Sequence, residues 1–462
     1  MRILFLICFC LFLCLAPSIP NLAGFFLWLD PLVGLAIPLA AKSLLFVLIP
    51  TLLLLIATAF FGRFFCGSIC PMGTTLSLVG KIFRKKHKKE PSHFPRSIRY
   101  LLLALVLTAA VFGTNLIFWF SPIPLVTRLY VLLIEPFLTH SAQFSLEAIT
   151  PYLGASKLTY LELHPNSFTF AWFTALIWLI LLGLEYFAPR FWCQYLCPSG
   201  ALFGLAAKFA KRSCHKKDAL TCIGCGKCDT KHLPTRRTFL ASLGCGLIVA
   251  ATKTTPAQNL VRPPASLPES DFLTQCVRCG ACMQICPTNA LQPTFLETGL
   301  SGINAPVLDP RHGGCRPECV ACTLICPTNA IRPLTLEEKV YAKIGTAVID
   351  PNTCLAWKEE RRCMVCLENC PYGAITVQTT KDSLIPKPEV TLEKCFGCGF
   401  CELSCPKKPA AIKVMPKGAI RIAHTDFAAE AKAHNLAIKM GQAEINDIPP
   451  QNEGNPPPGF LE

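Results

Sequence analysis

Sixteen cysteines lie between Cys276 and Cys405, in four quartets that each end in Cys-Pro. They read Cys276-x2-Cys279-x2-Cys282-x3-Cys286-Pro287, Cys315-x3-Cys319-x2-Cys322-x3-Cys326-Pro327, Cys354-x8-Cys363-x2-Cys366-x3-Cys370-Pro371 and Cys395-x2-Cys398-x2-Cys401-x3-Cys405-Pro406. Three thiolates on one tight loop bind three corners of a cubane, and a more distant Cys before Pro binds a fourth; this is the ligand pattern of a [4Fe–4S] cluster. The spacing predicts four such clusters and hence single-electron chemistry. Where two such runs pair, the Cys before Pro ligates the other cluster of the pair. That rule predicts the sets Cys276, Cys279, Cys282, Cys326 and Cys315, Cys319, Cys322, Cys286, then Cys354, Cys363, Cys366, Cys405 and Cys395, Cys398, Cys401, Cys370.

Composition points elsewhere. The apolar fraction of the whole chain is 52% and its mean hydropathy +0.43, too high for an ordinary soluble protein. The excess falls before about residue 190, where apolar stretches approach the roughly 20 residues that cross a bilayer. Spans are expected near Ile3–Ile19, Ser43–Phe61, Ile98–Phe120 and Phe168–Phe187, with a shorter fifth near Phe239–Thr252. Asn21–Ala41 is apolar too, but Asp30 and its prolines favour a re-entrant or interfacial segment. The first apolar stretch has no clean cleavage site before Asn21, so it reads as a retained span. Eight Lys and Arg residues lie between Lys81 and Arg99, and five between Lys208 and Lys217. The loop Ser121–Ser167 holds only Arg128 and Lys157 against Glu135, Glu147 and Glu162. Positive charge marks the cytoplasmic side, so the basic runs read as topology signals, not as nucleic-acid sites, despite the net charge of +15.

Two near-copies stand where expected spans meet that side: Phe65-Cys66-Gly67-Ser68-Ile69-Cys70-Pro71-Met72-Gly73 and Trp192-Cys193-Gln194-Tyr195-Leu196-Cys197-Pro198-Ser199-Gly200. Four thiolates from the two turns could hold one metal centre or remain a redox-active set. They are the candidate catalytic residues, the intake point for electrons, with a quinone pocket expected close by. Cys214-x7-Cys222-x2-Cys225-x2-Cys228 has ferredoxin loop spacing without a terminal Cys-Pro, and reads as the ligand set of a fifth cluster. Cys8, Cys10, Cys14 and Cys245 lack ligand spacing and read as small apolar packing.

Thr235-Arg236-Arg237-Thr238-Phe239-Leu240 precedes a weak apolar segment and looks like an internal twin-arginine export signal. Export of a folded, cluster-loaded domain would keep sixteen thiols from forming disulfides in an oxidising periplasm. The expected organisation is a helical membrane domain over 1–212, a cytoplasmic Fe–S segment over 213–234, a signal or span over 235–252 and a Pro-rich linker over 253–270. Dicluster ferredoxin-like units follow at 271–345 and 346–425, then a tail over 426–462. The fold class is thus an α-helical membrane domain of four or five spans followed by an α+β polyferredoxin. There is no Cys-x-x-Cys-His for a c-type haem, no histidine in a confident span, and no glycine-rich nucleotide motif.

These pieces resemble two ferredoxin-type families joined in one chain. Residues 1 to about 230 are similar to the NapH family through FCGSICPMG, FWCQYLCPSG and CIGCGKC. Residues from about 235 to 420 are similar to the NapG/MauM family through TRRTFL and the four quartets. The resemblance implies an inner-membrane quinol dehydrogenase module that passes electrons from quinol to a periplasmic oxidoreductase or cytochrome, periplasmic nitrate reductase being the familiar partner. The NapH pattern has two complete Cys-Pro-terminated clusters where this chain has only Cys214–Cys228. Proteins of the NosR type and copper-reductase type share the Cys-x3-Cys-Pro turns, so a metal reductase or assembly factor and a redox regulator stand as alternatives.

Overall fold

The computed structural model describes residues 2–15, 22–42, 48–83, 95, 97–153, 166–188, 190–207, 234–251, 260–295, 297, 299, 301–380, 383–423 and 426–438. Its first half is helical. Runs of Leu, Ile, Phe and Ala form α1 (Arg2–Leu15), α2 (Leu22–Trp28), α3 (Pro31–Ala41), α4 (Leu48–Phe61), α5 (Pro71–Phe83) and α6 (Ile98–Val111). Then come α7 (Ile117–Phe120), α8 (Pro122–Leu129), α9 (Glu135–Leu153), α10 (Ala171–Leu184), α11 (Pro198–Ala206) and α12 (Arg236–Ala251). The start of α3 is set by Pro31 at the first helical position and by Asp30, whose Oδ1 accepts from Leu32 N at 3.0 Å. Proline's missing N–H costs nothing there, and the carboxylate satisfies an orphan donor.

Helix lengths depart from expectation. The described helices α1, α4, α6 and α10 have 14 residues each, about 21 Å at ~1.5 Å per residue. A bilayer core is ~30 Å thick. One helix among the described residues is long and apolar enough to cross a membrane: Pro122–Ala148, 27 residues, formed by α8, the π-helical stretch Tyr130–Ile134 and part of α9. It occupies the segment read as a connecting loop, Ser121–Ser167. Arg128 and Glu135 made that segment look polar, but the Arg128 guanidinium is buried against protein carbonyls. The outward faces of the helices are apolar and exposed, as at Leu53, Phe60, Phe137, Phe144 and Leu179.

Helix α12 lies along α6. Its inner face carries Ser242, Gly246 and Ala250, all buried, the small-xxx-small spacing that lets helices approach closely. A methyl group at Gly246 would run into the Thr108 side chain. The twin-arginine-like segment is therefore a packed member of the helical half.

The second half begins at α13 (Glu269–Gln275) and is loop-rich. Three antiparallel pairs brace it: β1 (Leu291–Pro293) with β2 (Pro306–Leu308), β3 (Thr346–Ile349) with β6 (Ile412–Met415), and β4 (Ile375–Thr380) with β5 (Ser383–Val390). The registers include Leu291↔Leu308, Thr346↔Met415 and Ile375↔Val390. The linker expected up to residue 270 ends earlier. Val261, Arg262, Ala265 and Leu267 are buried, and Leu267 N donates to Ala330 O at 3.1 Å. The expected tail also starts too soon. Phe427–Ala433 is a helix whose Phe427 packs with Ala265, Leu334, Ala342 and Ile420.

Candidate iron–sulfur sites and the helical interface

Each ligand loop is a tight turn followed by one helical turn. Gly280 and Gly399 initiate two of these at φ +89° and +90°, a region where glycine pays no Cβ penalty. The structure brings the cysteines together across the quartets. Cys276, Cys279, Cys282 and Cys326 line one cavity. Cys370, Cys395, Cys398 and Cys401 line a second, and Cys354, Cys363, Cys366 and Cys405 a third. The charges of Cys286 and Cys319 bear on Cys315, and those of Cys315, Cys286 and Cys319 on Cys322. In every set the Cys before Pro comes from the neighbouring quartet. The two pairs touch each other, since Cys315 N donates to Cys398 O at 2.8 Å.

Donor chemistry fits a cluster in these sets. Burial pushes the thiols up, to about 12 for Cys279 and Cys398 and about 11 for Cys366. A free thiol there stays protonated at neutral pH, whereas iron binding takes the thiolate. Backbone N–H groups already aim at sulfur: Ala347 N at 3.4 Å from Cys395, Ala374 N at 3.3 Å from Cys370, and Ala411 N at 3.4 Å from Cys405. Among the described residues no group of three or more His, Cys, Asp or Glu is placed to hold a single metal ion; the cysteines ring larger spaces instead.

The two Cys-x3-Cys-Pro segments share one backbone design. Phe65–Ile69 and Trp192–Leu196 are π-helical turns. Cys70 N donates to Phe65 O at 2.9 Å, and Cys197 N to Trp192 O at 2.9 Å. Pro71 and Pro198 then open α5 and α11. The turns meet: Cys70 is within electrostatic reach of Cys66 and Cys193, and Cys197 of Cys193, Cys66 and Cys70. Phe65 and Phe203 pack with ring centroids 5.2 Å apart. Cys214, Cys222, Cys225 and Cys228 lie outside the described residues. Cys8, Cys10, Cys14 and Cys245 join none of these sets; Cys14 and Cys245 are exposed.

The helical half docks on the first cysteine set. Asn115 Nδ2 donates to Thr274 O at 2.8 Å and Cys276 O at 3.3 Å. Trp28 Nε1 donates to Pro327 O at 3.0 Å, next to Cys326. Gln284 Nε2 donates to Leu13 O at 3.1 Å, and Gln292 Nε2 to Ser167 O at 3.0 Å. Asp30 ties the same corner to the other turn set: Ser199 Oγ donates to its Oδ1 at 2.8 Å, and Ser121 Oγ donates to Oδ2. Sequence reasoning missed Trp28, Asn115 and Arg128 as interface residues. Arg128 carried a signal, being a lone charge in an apolar window; Trp28 and Asn115 carried none.

A family model described as a 4Fe-4S binding domain matches residues 43–90 and again 170–217, one copy over each Cys-x3-Cys-Pro turn. A 4Fe-4S dicluster domain matches 361–408, and a further 4Fe-4S binding domain 273–292. The methylamine utilization ferredoxin-type protein MauM of Methylobacillus flagellatus is 35% identical over 191 residues, 40% of this chain and 80% of that protein. The ferredoxin-type protein NapG of Escherichia coli is 34% identical over 185 residues, 38% of this chain and 79% of that protein. MauM of Methylorubrum extorquens is 37% identical over 186 residues, 39% of this chain and 83% of that protein. No solved structure matches with significance. Cross-paired cysteine quartets on short antiparallel strands define an iron–sulfur electron-transfer protein of the ferredoxin type. Within that class, the chain belongs to the MauM/NapG family.

Proposed function

We propose that the chain is an inner-membrane quinol dehydrogenase module that takes electrons from quinol and delivers them to a periplasmic oxidoreductase or cytochrome. One observation carries the reading. The helical half packs directly on the first of four cysteine sets, while two duplicated Cys-x3-Cys turns meet elsewhere in that same half. The exposed apolar helix faces support embedding in hydrocarbon, because a soluble protein rarely exposes so much contiguous apolar surface.

The contacts suggest an orientation. Residues touching the cluster half lie at the end of α1 (Leu13), just after α6 (Asn115) and just before α10 (Asn166, Ser167). The second cysteine turn follows the far end of α10, and Asp30 bridges from its Ser199 back toward the Trp28 corner. This supports turns on the cytoplasmic side, the cluster half on the periplasmic side, and α12 crossing between them after Arg236 and Arg237. The [4Fe–4S] groups supply one-electron storage at four sites; the chain supplies burial, N–H bonds to sulfur and contact between the cysteine sets. Cys66, Cys70, Cys193 and Cys197 are proposed as the intake, and Cys214–Cys228 as ligands of a fifth cluster.

The test is quinol-dependent reduction of the clusters, followed by their visible absorbance in isolated membranes. Quinol should bleach them without a soluble donor. If dithionite bleaches them and quinol does not, the donor assignment is wrong. Protease added to intact spheroplasts should remove the cluster half; protection there would reverse the sidedness.

A further inference from the structure

Arg128 and Arg278 are fully buried at the seam between the halves, and among the described residues no carboxylate pairs with either. Arg128, on α8, donates through Nε to Arg278 O at 3.0 Å and through Nη2 to Phe118 O at 3.0 Å. Its Nη1 has no hydrogen-bond partner among the described residues. Arg278, between Cys276 and Cys279, lies 3.4 Å from the Phe118 ring centroid and donates through Nη2 to Ser301 O. Its Nε and Nη1 likewise have no partner among the described residues. The groups that would carry negative charge beside them are the cluster thiolates: Cys279 and Cys276 bear on Arg128, and Cys276 on Arg278. Arg262 makes the contrast: equally buried, it has its own carboxylate, Glu269, at 2.6 Å.

Two buried cations without a counter-ion are costly. A cluster bound through four thiolates is net negative in both oxidation states, and more so when reduced. Cations beside it therefore favour the reduced form. We infer that Arg128 and Arg278 are a potential-setting pair that places the first cluster above the other three, with Arg128 supplied by the helical half. The other sets have less. Lys339 bonds to Arg316 O and Cys319 O beside the second set. Lys343, buried, is near Cys395 in another set, its Nζ bonded to Leu392 O. In the last, cysteines and backbone bear on Cys366, and Lys407, which lines that cavity, is paired with Glu359 at 2.6 Å. The cluster that touches the helices is then the strongest electron acceptor of the four, so an electron entering there is held until a further electron or the final acceptor draws it on.

The inference rests on the first set holding a cluster, so iron and acid-labile sulfide are counted first in the full-length protein. A redox titration followed by electron paramagnetic resonance then reads the potentials. In the unaltered protein one cluster should reduce ahead of the other three. Arg128→Gln and Arg278→Gln should each lower that cluster alone by at least tenfold in its reduction equilibrium, 59 mV for a one-electron couple. Arg128→Lys, which keeps the charge, should lose less than half of that shift. Four clusters titrating together in the unaltered protein would overturn the inference. So would loaded glutamine variants with unshifted potentials, or a lysine variant as low as the glutamine one. A cluster count below four in the unaltered protein would strike the four-cluster assignment itself.

Discussion

Trp28 Nε1 donates to the carbonyl of Pro327 at 3.0 Å, across 299 positions of sequence. The bond joins the end of α2 to the Cys326-Pro327 turn of the first cysteine set. Trp28→Phe keeps a smaller aromatic ring and removes the donor, leaving the Pro327 carbonyl unpaired. The expected cost is about 1–3 kcal/mol, read as earlier loss of cluster absorbance on heating. An unchanged midpoint would show that the contact does not hold the seam.

Crossed ligation makes a sharp mutational prediction. Cys326→Ser should disturb the same paramagnetic signal as Cys276→Ser, and Cys286→Ser the same signal as Cys315→Ser. If Cys326→Ser instead matches Cys322→Ser, each quartet holds its own cluster and the ligation is not crossed.

The duplicated turns predict a loss of one activity only. Cys66→Ser or Cys193→Ser should abolish quinol-dependent reduction while leaving the four sets loaded and reducible by dithionite, because their ligands lie elsewhere. Normal quinol rates in either variant would make the turns structural.

Asp309 gives a pH test of the cluster half. Burial raises its carboxyl, but the side-chain and backbone N–H groups of Arg311 outweigh this and hold it below the ordinary value. The folded value is the lower one, so the stabilisation is fully present above the unfolded value of ~3.9 and fades as pH falls through the folded one. Arg311 is largely solvent-exposed, which limits the effect to about 1 kcal/mol or less. Asp309→Asn should therefore be less stable at pH 7 and indistinguishable at strongly acid pH, by denaturant titration. A gap that persists in acid would assign the effect to packing.

Helix α12 predicts intolerance at one glycine. Gly246→Leu should force α12 off α6, since even a methyl meets Thr108. Loss of 2 kcal/mol or more is expected, on the order of other overpacking changes, seen as new protease cleavage near residue 250.

The cysteine sets were legible because a ligand loop is local: its spacing is its geometry. The exchange of the Cys before Pro came from the rule for paired ferredoxin runs, and Cys326 shares a cavity with Cys276. The helical half was harder. Asp30 stood out as a charge in an apolar run, but nothing nearby in sequence announces Ser121 and Ser199 as its donors. The helix over residues 122–148 was not legible because one arginine and one glutamate outweighed their apolar neighbours, although Arg128 is satisfied by the carbonyls of Phe118 and Arg278. Long-range satisfaction of a buried charge leaves no periodic trace.

The packed α12 also sets a leash. Only eight residues separate Ala251 from Leu260, a reach of at most ~32 Å over nine steps at ~3.6 Å each. A short tether holds its two ends at an effective concentration on the order of millimolar. The seam between the halves can therefore be weak by the standards of separate proteins and still stay closed nearly all the time. A pair of unlinked subunits would need a far tighter interface to keep the same two redox sites in contact.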